Sequence, residues 1–259
     1  MAHEIRSSDL ALARRLEAAE AANALNLARA TALFEHRLIA GGCALFAGVG
    51  SPLTHALGCG MSGPVTTADV ESLEAFFYER GSDCLIDLCP MADTGLTGAV
   101  MERGYSVIEF NNVLVRPLAP ADAALSSDLP APEIVDDATR LDWIGVLARS
   151  FDMPMEPLEN IPVFDETLLV RVGSSVAASV GGWSAAEGVA LLFGDATVQE
   201  ARGRGLQSGL IRERLARAAR AGCDLAMACT LPGSASHRNY ERLGFSLAYM
   251  RVNVRRPQP

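Results

Sequence analysis

The chain has 259 residues, of which 49% are hydrophobic and 20% charged, a balance typical of a globular protein with room for one large domain or two smaller ones. All 22 basic residues are arginine, and 31 acidic residues give a formal net charge of -9. The acidic balance disfavours nucleic-acid binding, and the absence of lysine excludes Schiff-base chemistry and the Gly-Lys-Ser/Thr loop of nucleotide triphosphatases.

The N-terminus and the cysteines bear on the cellular compartment. No apolar run reaches membrane-spanning length, and the first residues lack the basic and then apolar order of a signal peptide. The six cysteines form no Cys-x-x-Cys pair and no cluster with histidine, so we expect buried, reduced thiols and no metal site. We therefore expect a cytoplasmic protein.

The first half of the sequence alternates helical and strand patterns. An alanine- and leucine-rich stretch over residues 8–34 predicts one long helix or two short ones. The later elements, in chain order, are strands at 43–49 and 55–61, a helix from Thr66 to Gly81, a strand at 84–89, a helix ending at Gly104 and a strand at 107–116. Residues 118–132, rich in proline, alanine and serine, predict a linker between two domains, 1–117 and 133–259.

The second half opens with weaker signals. A short strand at 133–135 and an amphipathic helix precede a loop at 151–155. Residues 167–172 and 175–180 predict a hairpin around Gly173-Ser174. An apolar run from Gly188 to Phe193 then predicts the strand that leads to the most informative part of the sequence.

The stretch from Thr197 to Ser208 follows that strand and predicts a tight turn and then a helix. Gly203 and Gly205 leave backbone amides open to close approach, and the first helical turn adds unpaired N–H groups and a positive dipole end. These features predict a seat for a phosphate or diphosphate. A dinucleotide-binding fingerprint stays open as an alternative, because the two glycines form a Gly-x-Gly and Asp224 lies about twenty residues on.

A second motif lies about thirty residues downstream, from Ser234 to Phe245. It predicts a short helix that carries Tyr240 and is capped by Ser234 or Ser236. Gly244 then ends the helix in a left-handed conformation before a last strand.

The turn and this closing motif, in this order and at this distance, resemble the GNAT superfamily of N-acetyltransferases over roughly residues 133–259. The acetyl-CoA loop of that superfamily has the pattern Gln/Arg-x-x-Gly-x-Gly/Ala, which Arg202 and Gly205 match, after a strand ending in a hydrophobic residue such as Val198. Gln207 departs from the last, small position, so its side chain must turn away from the bound diphosphate.

The resemblance implies a mixed α/β fold, a mostly antiparallel sheet with helices on both faces, and acetyl-CoA as co-substrate without a metal. It also implies that the Val198 backbone N–H would bond the thioester carbonyl and that Tyr240, whose ordinary pKa is near 10, would protonate the coenzyme A sulfur. The implied coenzyme A contacts are Thr197, Val198, Arg202, Gly203, Arg204, Gly205, Leu206, Gln207, Ser208 and Asn239.

The implied function is an acyl-CoA-dependent N-acetyltransferase that moves an acetyl group to a small-molecule or peptide amine by direct attack in a ternary complex. Because an ammonium group must first lose a proton, a carboxylate base is needed, and Asp195, Glu187 and Asp152 all remain candidates. The alternative is a catalytically inactive acyl-CoA-binding or regulatory protein. We expect no nucleic-acid or membrane partner, and a homodimer is compatible with the sequence.

The two halves of the sequence share an order of predicted elements, at an offset of about 140 residues. Asp83–Pro117 and Asp224–Pro257 share the order of strand, short helix, glycine followed by an aromatic residue, and strand. This repetition predicts two GNAT-like domains in tandem. In the first half the arginine-glycine spacing is missing, Asp69 stands at the helix start and Val100 corresponds to Tyr240, so we expect the first copy to be degenerate.

Overall fold

The computed structural model describes residues 9–126, 131–159, 161, 166–173 and 176–259. The chain divides into two compact units. The N-terminal unit contains the described residues up to Val113 together with Leu247–Pro259, and the C-terminal unit is Leu114–Ser246. This division differs from the predicted boundaries 1–117 and 133–259, because the last strand of the sequence pairs with a strand of the first half.

The described part of the first half begins with one long helix, which is one of the two predicted alternatives, the other being two short helices. Its elements are α1 (Leu10–Ala30), β1 (Glu35–Ile39), β2 (Gly42–Phe46), β3 (His55–Leu57), α2 (Thr67–Tyr78), β4 (Cys84–Leu88), α3 (Thr94–Glu102) and β5 (Ser106–Pro117). β1 was not predicted, because four of its five residues are exposed and the segment has no alternating apolar pattern.

The second half has the same general content. Its elements are β6 (Glu133–Ile134), α4 (Arg140–Phe151), α5 (Glu156–Glu159), β7 (Thr167–Val172), β8 (Val176–Ala186), β9 (Val189–Thr197), α6 (Leu206–Arg220), β10 (Leu225–Thr230), α7 (Ala235–Arg242) and β11 (Ser246–Arg256). β7 and β8 form the predicted hairpin, although part of its connection, residues 174–175, lies outside the described residues.

The predicted linker, residues 118–132, is not a free extended segment where the structure describes it. Leu118 is buried, and its N–H donates to the carbonyl of Asp224 at 2.8 Å. Pro120–Ala124 forms a short 3-10 helix, and the Arg220 guanidinium donates to the carbonyl of Ala123 at 3.3 Å. The apolar Leu118 side chain draws this segment onto the C-terminal unit, and residues 127–130 of the linker lie outside the described residues.

In the N-terminal unit the strand order is β1-β2-β3-β4-β11 followed by the first part of β5. β3 and β4 are parallel, whereas β1 with β2, β2 with β3 and β4 with β11 are antiparallel. The core of this unit packs Phe76 and Phe77 of α2 and Leu96 of α3 against Ile86 of β4 and Val254 of β11. The chain's last strand is thus part of the hydrophobic core built by the first half.

In the C-terminal unit the order is the end of β5, then β10-β9-β8-β7-β6. Only β9 and β10 are paired in parallel among the pairs described for this unit. Leu114 at the end of β5 packs with Ile211 and Leu215 of α6 and with Tyr240 of α7. The predicted fold class, a mixed α/β fold with a mostly antiparallel sheet flanked by helices, is confirmed.

Two further expectations concern surfaces and thiols. Among the described residues, no helix is both long enough and apolar enough to cross a membrane. The six cysteines all lie in the described part of the chain and none forms a disulfide. Five are buried as expected, but Cys229, near the end of β10, is exposed.

Candidate active site

A gap opens between β9 and β10. Their backbone pairing runs from Val189 opposite Leu225 to Leu192 opposite Ala228. β9 continues to Thr197, so its residues 193–197 lie beyond the paired part. Backbone groups on this side of β9 are therefore available to a ligand or to nearby side chains.

The turn after β9 ends in a helix start without a side-chain cap. Gly203 and Gly205 have positive φ values of 76° and 75°, a conformation that glycine adopts without strain. Gly205 occupies the N-cap position of α6, no side chain bonds there, and the first turn contains no acidic residue. The first intrahelical bond shown at this end runs from the Gly209 N–H to the Gly205 carbonyl at 2.9 Å, so the N–H groups of residues 206–208 have no partner inside the helix.

Two exposed arginines flank this helix start. Arg202 donates through Nε to the carbonyl of Thr197 at 3.1 Å, and Arg204 donates to the carbonyl of Glu200 at 3.4 Å. These bonds tie both arginines to the turn, and both residues remain exposed. The turn therefore combines backbone N–H groups, a helix dipole and two positive charges, which together suit a diphosphate.

The side chain of Gln207 turns away from the helix start, as the sequence pattern requires. Its Nε2 donates to Ser236 Oγ at 2.8 Å, and its Oε1 accepts from Asn239 Nδ2 at 2.7 Å. The side chain thus points to α7 and leaves the backbone N–H of the helix start uncovered. The bond between Asn239 and Gln207 joins α7 to α6. The Asn239 Oδ1 also accepts from Arg242 of its own helix at 2.8 Å, so both ends of this amide have partners within the protein.

The prediction that the Val198 N–H is available to a ligand is wrong. This N–H donates to the carbonyl of Ala178 on β8 at 3.0 Å. Successive N–H groups along a strand point to opposite sides. The N–H of Thr197, the neighbouring predicted contact, therefore points to the unpaired side of β9, while its side-chain hydroxyl bonds Ser179 Oγ at 2.8 Å.

Tyr240 lies in the core beside the gap. Its side chain is only 1% exposed and belongs to the same cluster as Leu192 and Ala228, the last paired residues of β9 and β10. Its ring packs edge-on against Phe245, with centroids 4.8 Å apart, and its hydroxyl donates to Asp195. Burial, followed by the Asp195 charge, raises the pKa of Tyr240 well above 10, so the phenol is neutral at physiological pH.

Arg214 completes a buried network that the sequence analysis did not find. Its side chain on α6 is fully buried and forms an ion pair with Asp195, whose own side chain is 10% exposed. The signal was present in the sequence, because Arg214 interrupts the apolar face formed by Leu210 and Leu215. A buried arginine needs a carboxylate partner, and Asp195 was already a candidate base.

The other two candidate bases, Glu187 and Asp152, are both exposed. Glu187 lies in the turn before β9, at the opposite end of that strand from Thr197. Asp152 ends α4 in a left-handed conformation, with φ of 52°, and is exposed. Among the described residues, no group of three or more histidine, cysteine or acidic side chains is arranged to hold a metal ion.

Comparison with known proteins agrees with this geometry. Residues 142–245 match the model of the family described as "Acetyltransferase (GNAT) family". The matched range includes the gap in the sheet, the uncapped start of α6 and Tyr240. No curated protein sequence matches the chain.

Solved structures with the same fold include several described as acetyltransferases. A GCN5-related N-acetyltransferase from Kribbella flavida superposes with a TM-score of 0.71 at 19% identity, covering 96% of each chain. A GCN5-related glucosamine N-acetyltransferase region of a fungal multi-domain GH3 beta-N-acetylglucosaminidase gives 0.57 at 10% identity, covering 95% of this chain and 37% of that one. A GCN5-related N-acetyltransferase from Sphaerobacter thermophilus gives 0.50 at 16% identity, covering 69% and 61%. At these identities the likeness establishes the fold.

Proposed function

We propose that the C-terminal unit is an acyl-CoA-dependent N-acetyltransferase that moves an acetyl group from acetyl-CoA to an amine by direct attack in a ternary complex. The observation that carries the proposal is the uncapped start of α6, where Gln207 turns aside and no carboxylate competes for the N–H groups. The family match over residues 142–245 supports acetyl transfer in general. The acceptor would be a small-molecule or peptide amine.

The residues at the turn fit a diphosphate. The backbone N–H groups of Leu206, Gln207 and Ser208 would donate to its oxygens, and Arg202 and Arg204 would balance its charge. The left-handed Gly203 and Gly205 shape the loop, and no described atom lies within 4 Å of a methyl group built on either. The gap beyond Leu192 would admit the acyl arm, with the Thr197 N–H as a donor for a carbonyl oxygen.

Tyr240 would supply the proton that the leaving sulfur requires. A buried phenol with a raised pKa holds its proton at neutral pH, as a general acid must. Its packing with Leu192 and Ala228 supports a position at the gap.

Two measurements test this function. Calorimetric titration with acetyl-CoA should show binding, and thiol release should follow when a suitable member of a panel of primary amines is added. Tyr240→Phe should lower kcat by roughly a hundredfold and leave the acetyl-CoA affinity unchanged. Tyr105→Phe is the matched control, because it removes a half-buried hydroxyl from the N-terminal unit. Equal kcat in wild type and Tyr240→Phe would remove Tyr240 from the reaction.

A catalytically inactive acyl-CoA-binding protein is the second candidate. The observation that favours it is the inward direction of the Tyr240 hydroxyl, which donates to Asp195 while Arg214 already engages that carboxylate. The same experiment separates the two functions. Binding of acetyl-CoA without thiol release on any amine would support the inactive protein, and absence of binding would contradict both.

We also propose that the two halves are tandem GNAT-like copies and that the first is degenerate. Corresponding elements begin about 140 residues apart: α2 and α6 at Thr67 and Leu206, β4 and β10 at Cys84 and Leu225, α3 and α7 at Thr94 and Ala235, β5 and β11 at Ser106 and Ser246. The carbonyl of Val100 accepts from the Tyr105 N–H just as the carbonyl of Tyr240 accepts from the Phe245 N–H. This match supports Val100 as the counterpart of Tyr240, without its hydroxyl.

A further inference from the structure

The network around Asp195 begins with an irregularity in the hairpin of β8 and β9. Val180 pairs with Ala196 and Gly182 pairs with Phe193, so two residues of β9, residues 194 and 195, face the single residue Gly181. This arrangement is a β-bulge, and Gly194 at its centre has a positive φ of 65°. A bulge changes the direction of the side chains that follow it, here that of Asp195.

Arg214 fills the space behind the bulge. Its Nη1 donates to the carbonyls of Gly182 at 3.0 Å and Phe193 at 3.3 Å, and its Nε donates to the carbonyl of Leu210 at 3.1 Å. A methyl group at Gly181 would lie 2.9 Å from the Arg214 Cζ. The glycine on β8 therefore makes the room that the guanidinium occupies.

Each carboxylate oxygen of Asp195 has a different partner. Oδ1 accepts from Arg214 Nη2, and Oδ2 accepts from the Tyr240 hydroxyl and, at 3.4 Å, from Arg214 Nη1. The Tyr240 ring is held by Phe245. The position of the phenol oxygen is thus determined by Asp195, and the position of Asp195 is determined by Arg214.

The two charges act on Tyr240 in opposite directions. Asp195 on β9 raises the pKa of the phenol and Arg214 on α6 lowers it, and these are the charged groups that face the hydroxyl. A network of this kind does more than fill the core, because replacing either charge changes how strongly Tyr240 holds its proton.

We propose that Asp195 and Arg214 are positioning residues for Tyr240 in the acetyl-transfer reaction, with Arg214 fixing the bulge and the carboxylate and Asp195 fixing the phenol. The kinetic consequence rests on the proposed function, whereas the structural consequence does not. Asp195 is therefore not the proton acceptor for the amine, because its two oxygens are already hydrogen-bonded to the Arg214 guanidinium and the Tyr240 hydroxyl.

The direct test follows Tyr240 by NMR in protein labelled with 13C at the tyrosine Cζ. The chain has four tyrosines, so Tyr240→Phe assigns the resonance by its loss. In Asp195→Asn the Tyr240 resonance should titrate at a lower pH than in the wild type, since the raising charge is gone and the Arg214 cation remains. An unchanged Tyr240 titration in folded Asp195→Asn would overturn the proposal.

A second variant covers the case in which Asp195→Asn does not fold. Gly181→Ala removes no charge but displaces the Arg214 guanidinium, so the Tyr240 resonance should again move. Gly145→Ala on α4 is the matched control, because a methyl group there meets no described atom within 4 Å, and it should leave Tyr240 unchanged. A Tyr240 resonance that is the same in Gly181→Ala and in the wild type would contradict the proposal.

The kinetic test separates positioning from a structural role. Gly181→Ala should lower kcat by about tenfold to a hundredfold while KM for acetyl-CoA stays constant, because the turn at Gly203 and Gly205 is untouched. In Asp195→Asn the alkaline limb of the kcat profile should move to lower pH. If no amine is acetylated by the wild type, the proposed function fails, and the NMR titration still decides whether the network positions Tyr240.

Discussion

The helices α2 and α6 occupy the same place in the element order of the two halves, yet they start in opposite ways. At α2, Thr66 and Asp69 form a capping box, in which the Thr66 N–H donates to Asp69 at 2.8 Å and the Asp69 N–H donates to Thr66 Oγ1 at 3.3 Å. At α6, Gly205 supplies no side chain and the first turn has no acid. One helix start is closed by its own carboxylate and the other is open to an external anion.

The bonding at Asp69 explains why the first half should not take a diphosphate. Hydrogen bonds from the Thr66 backbone and side chain lower the pKa of Asp69, so the carboxylate is charged across the physiological range. A second anion at this helix start would be repelled by the Asp69 carboxylate, and the Asp69 N–H is already bonded to Thr66 Oγ1. A scaffold with the same order of elements can therefore bind or exclude a phosphate according to one residue in the first turn of a helix.

A second contrast concerns the buried arginines. Arg214 supports Tyr240 beside the gap in the C-terminal unit, whereas Arg251 of β11 lies in the N-terminal unit and pairs with Glu17 of α1. Glu17 also accepts from the Tyr249 hydroxyl at 2.6 Å. An arginine, a carboxylate and a tyrosine thus form a buried network in each unit. In the C-terminal unit this network serves the proposed chemistry, and in the N-terminal unit it holds the last strand of the chain.

The largest expected effect comes from breaking the Arg251 network. Arg251→Met would leave the buried carboxylate of Glu17, 2.8 Å from the arginine, without its cation, and would remove one of the two cationic partners of Asp87, 3.5 Å away. We expect the free energy of unfolding to fall by about 3–5 kcal/mol, since one partner of a buried pair is removed. Urea unfolding measures the loss, and hydrogen exchange should place it in α1 and β4, far along the sequence from the substitution.

Arg255→Met is the matched control on the same strand. Arg255 is half-exposed and lies 3.8 Å from Asp83, so its loss should cost less than about 1 kcal/mol. Similar losses in the two variants, or exchange that increases only in β8 and β9, would show that β11 does not support the N-terminal unit through Arg251.

The second largest effect is expected when α6 is given the acidic third residue that α2 has. Ser208 is the third residue of α6, as Asp69 is the third of α2. Ser208→Asp should weaken acetyl-CoA binding by about tenfold or more, because the new carboxylate occupies the dipole end. The same carboxylate stabilises the helix, so the melting temperature should stay constant or rise, and unfolding could not explain the lost affinity. Calorimetry and thermal unfolding measure the two effects.

Two variants make this test specific. The asparagine of Ser208→Asn has nearly the same shape as the aspartate of Ser208→Asp but carries no charge. This variant should therefore bind acetyl-CoA as the wild type does. Asp69→Ser opens the other helix start and should leave the affinity measured for the whole chain unchanged, since no arginine-glycine turn precedes α2. Wild-type affinity in Ser208→Asp would mean that the diphosphate is not bound at α6.

Much of the fold could be predicted because its signals are local. The capping residues of α2, the glycines before α6 and the apolar runs of β4 and β10 each determine structure within a few residues. The left-handed Gly203 and Gly205 and the short helix that carries Tyr240 could be predicted for the same reason, since each motif is continuous in sequence.

The parts that could not be predicted depend on distant partners. β11 was assigned to the second half by its position, but its pairing with β4 depends on residues more than a hundred positions away. The Val198 N–H was expected to be available, and only the pairing with Ala178 shows that β8 uses it. Arg214 interrupts the apolar face of α6, but no local pattern identifies Asp195, 19 residues earlier, as its partner.

The smallest expected effect is a pH dependence of the stability of the N-terminal unit. His55 and Asp87 lie on the parallel strands β3 and β4, and His55 Nδ1 is 3.2 Å from Asp87 Oδ1. Burial disfavours the charged imidazole, but the charge and hydrogen bond of Asp87 outweigh it and raise the pKa of His55 above 6.5. Protonated His55 therefore stabilises the N-terminal unit, and nothing equivalent bears on Tyr240, which faces Asp195 and Arg214.

The sign of the pH dependence follows from the raised pKa. The contribution of His55 is fully present below the unfolded-state pKa and is lost as pH rises through the higher folded-state value. His55→Gln should therefore cost about 0.5–1 kcal/mol near pH 5.5 and almost nothing near pH 9, the size expected of a partly exposed ion pair. Urea unfolding of both proteins across this range measures the difference. A stability difference that widens toward alkaline pH would mean that Asp87 holds the neutral ring and that His55 does not act as a cation.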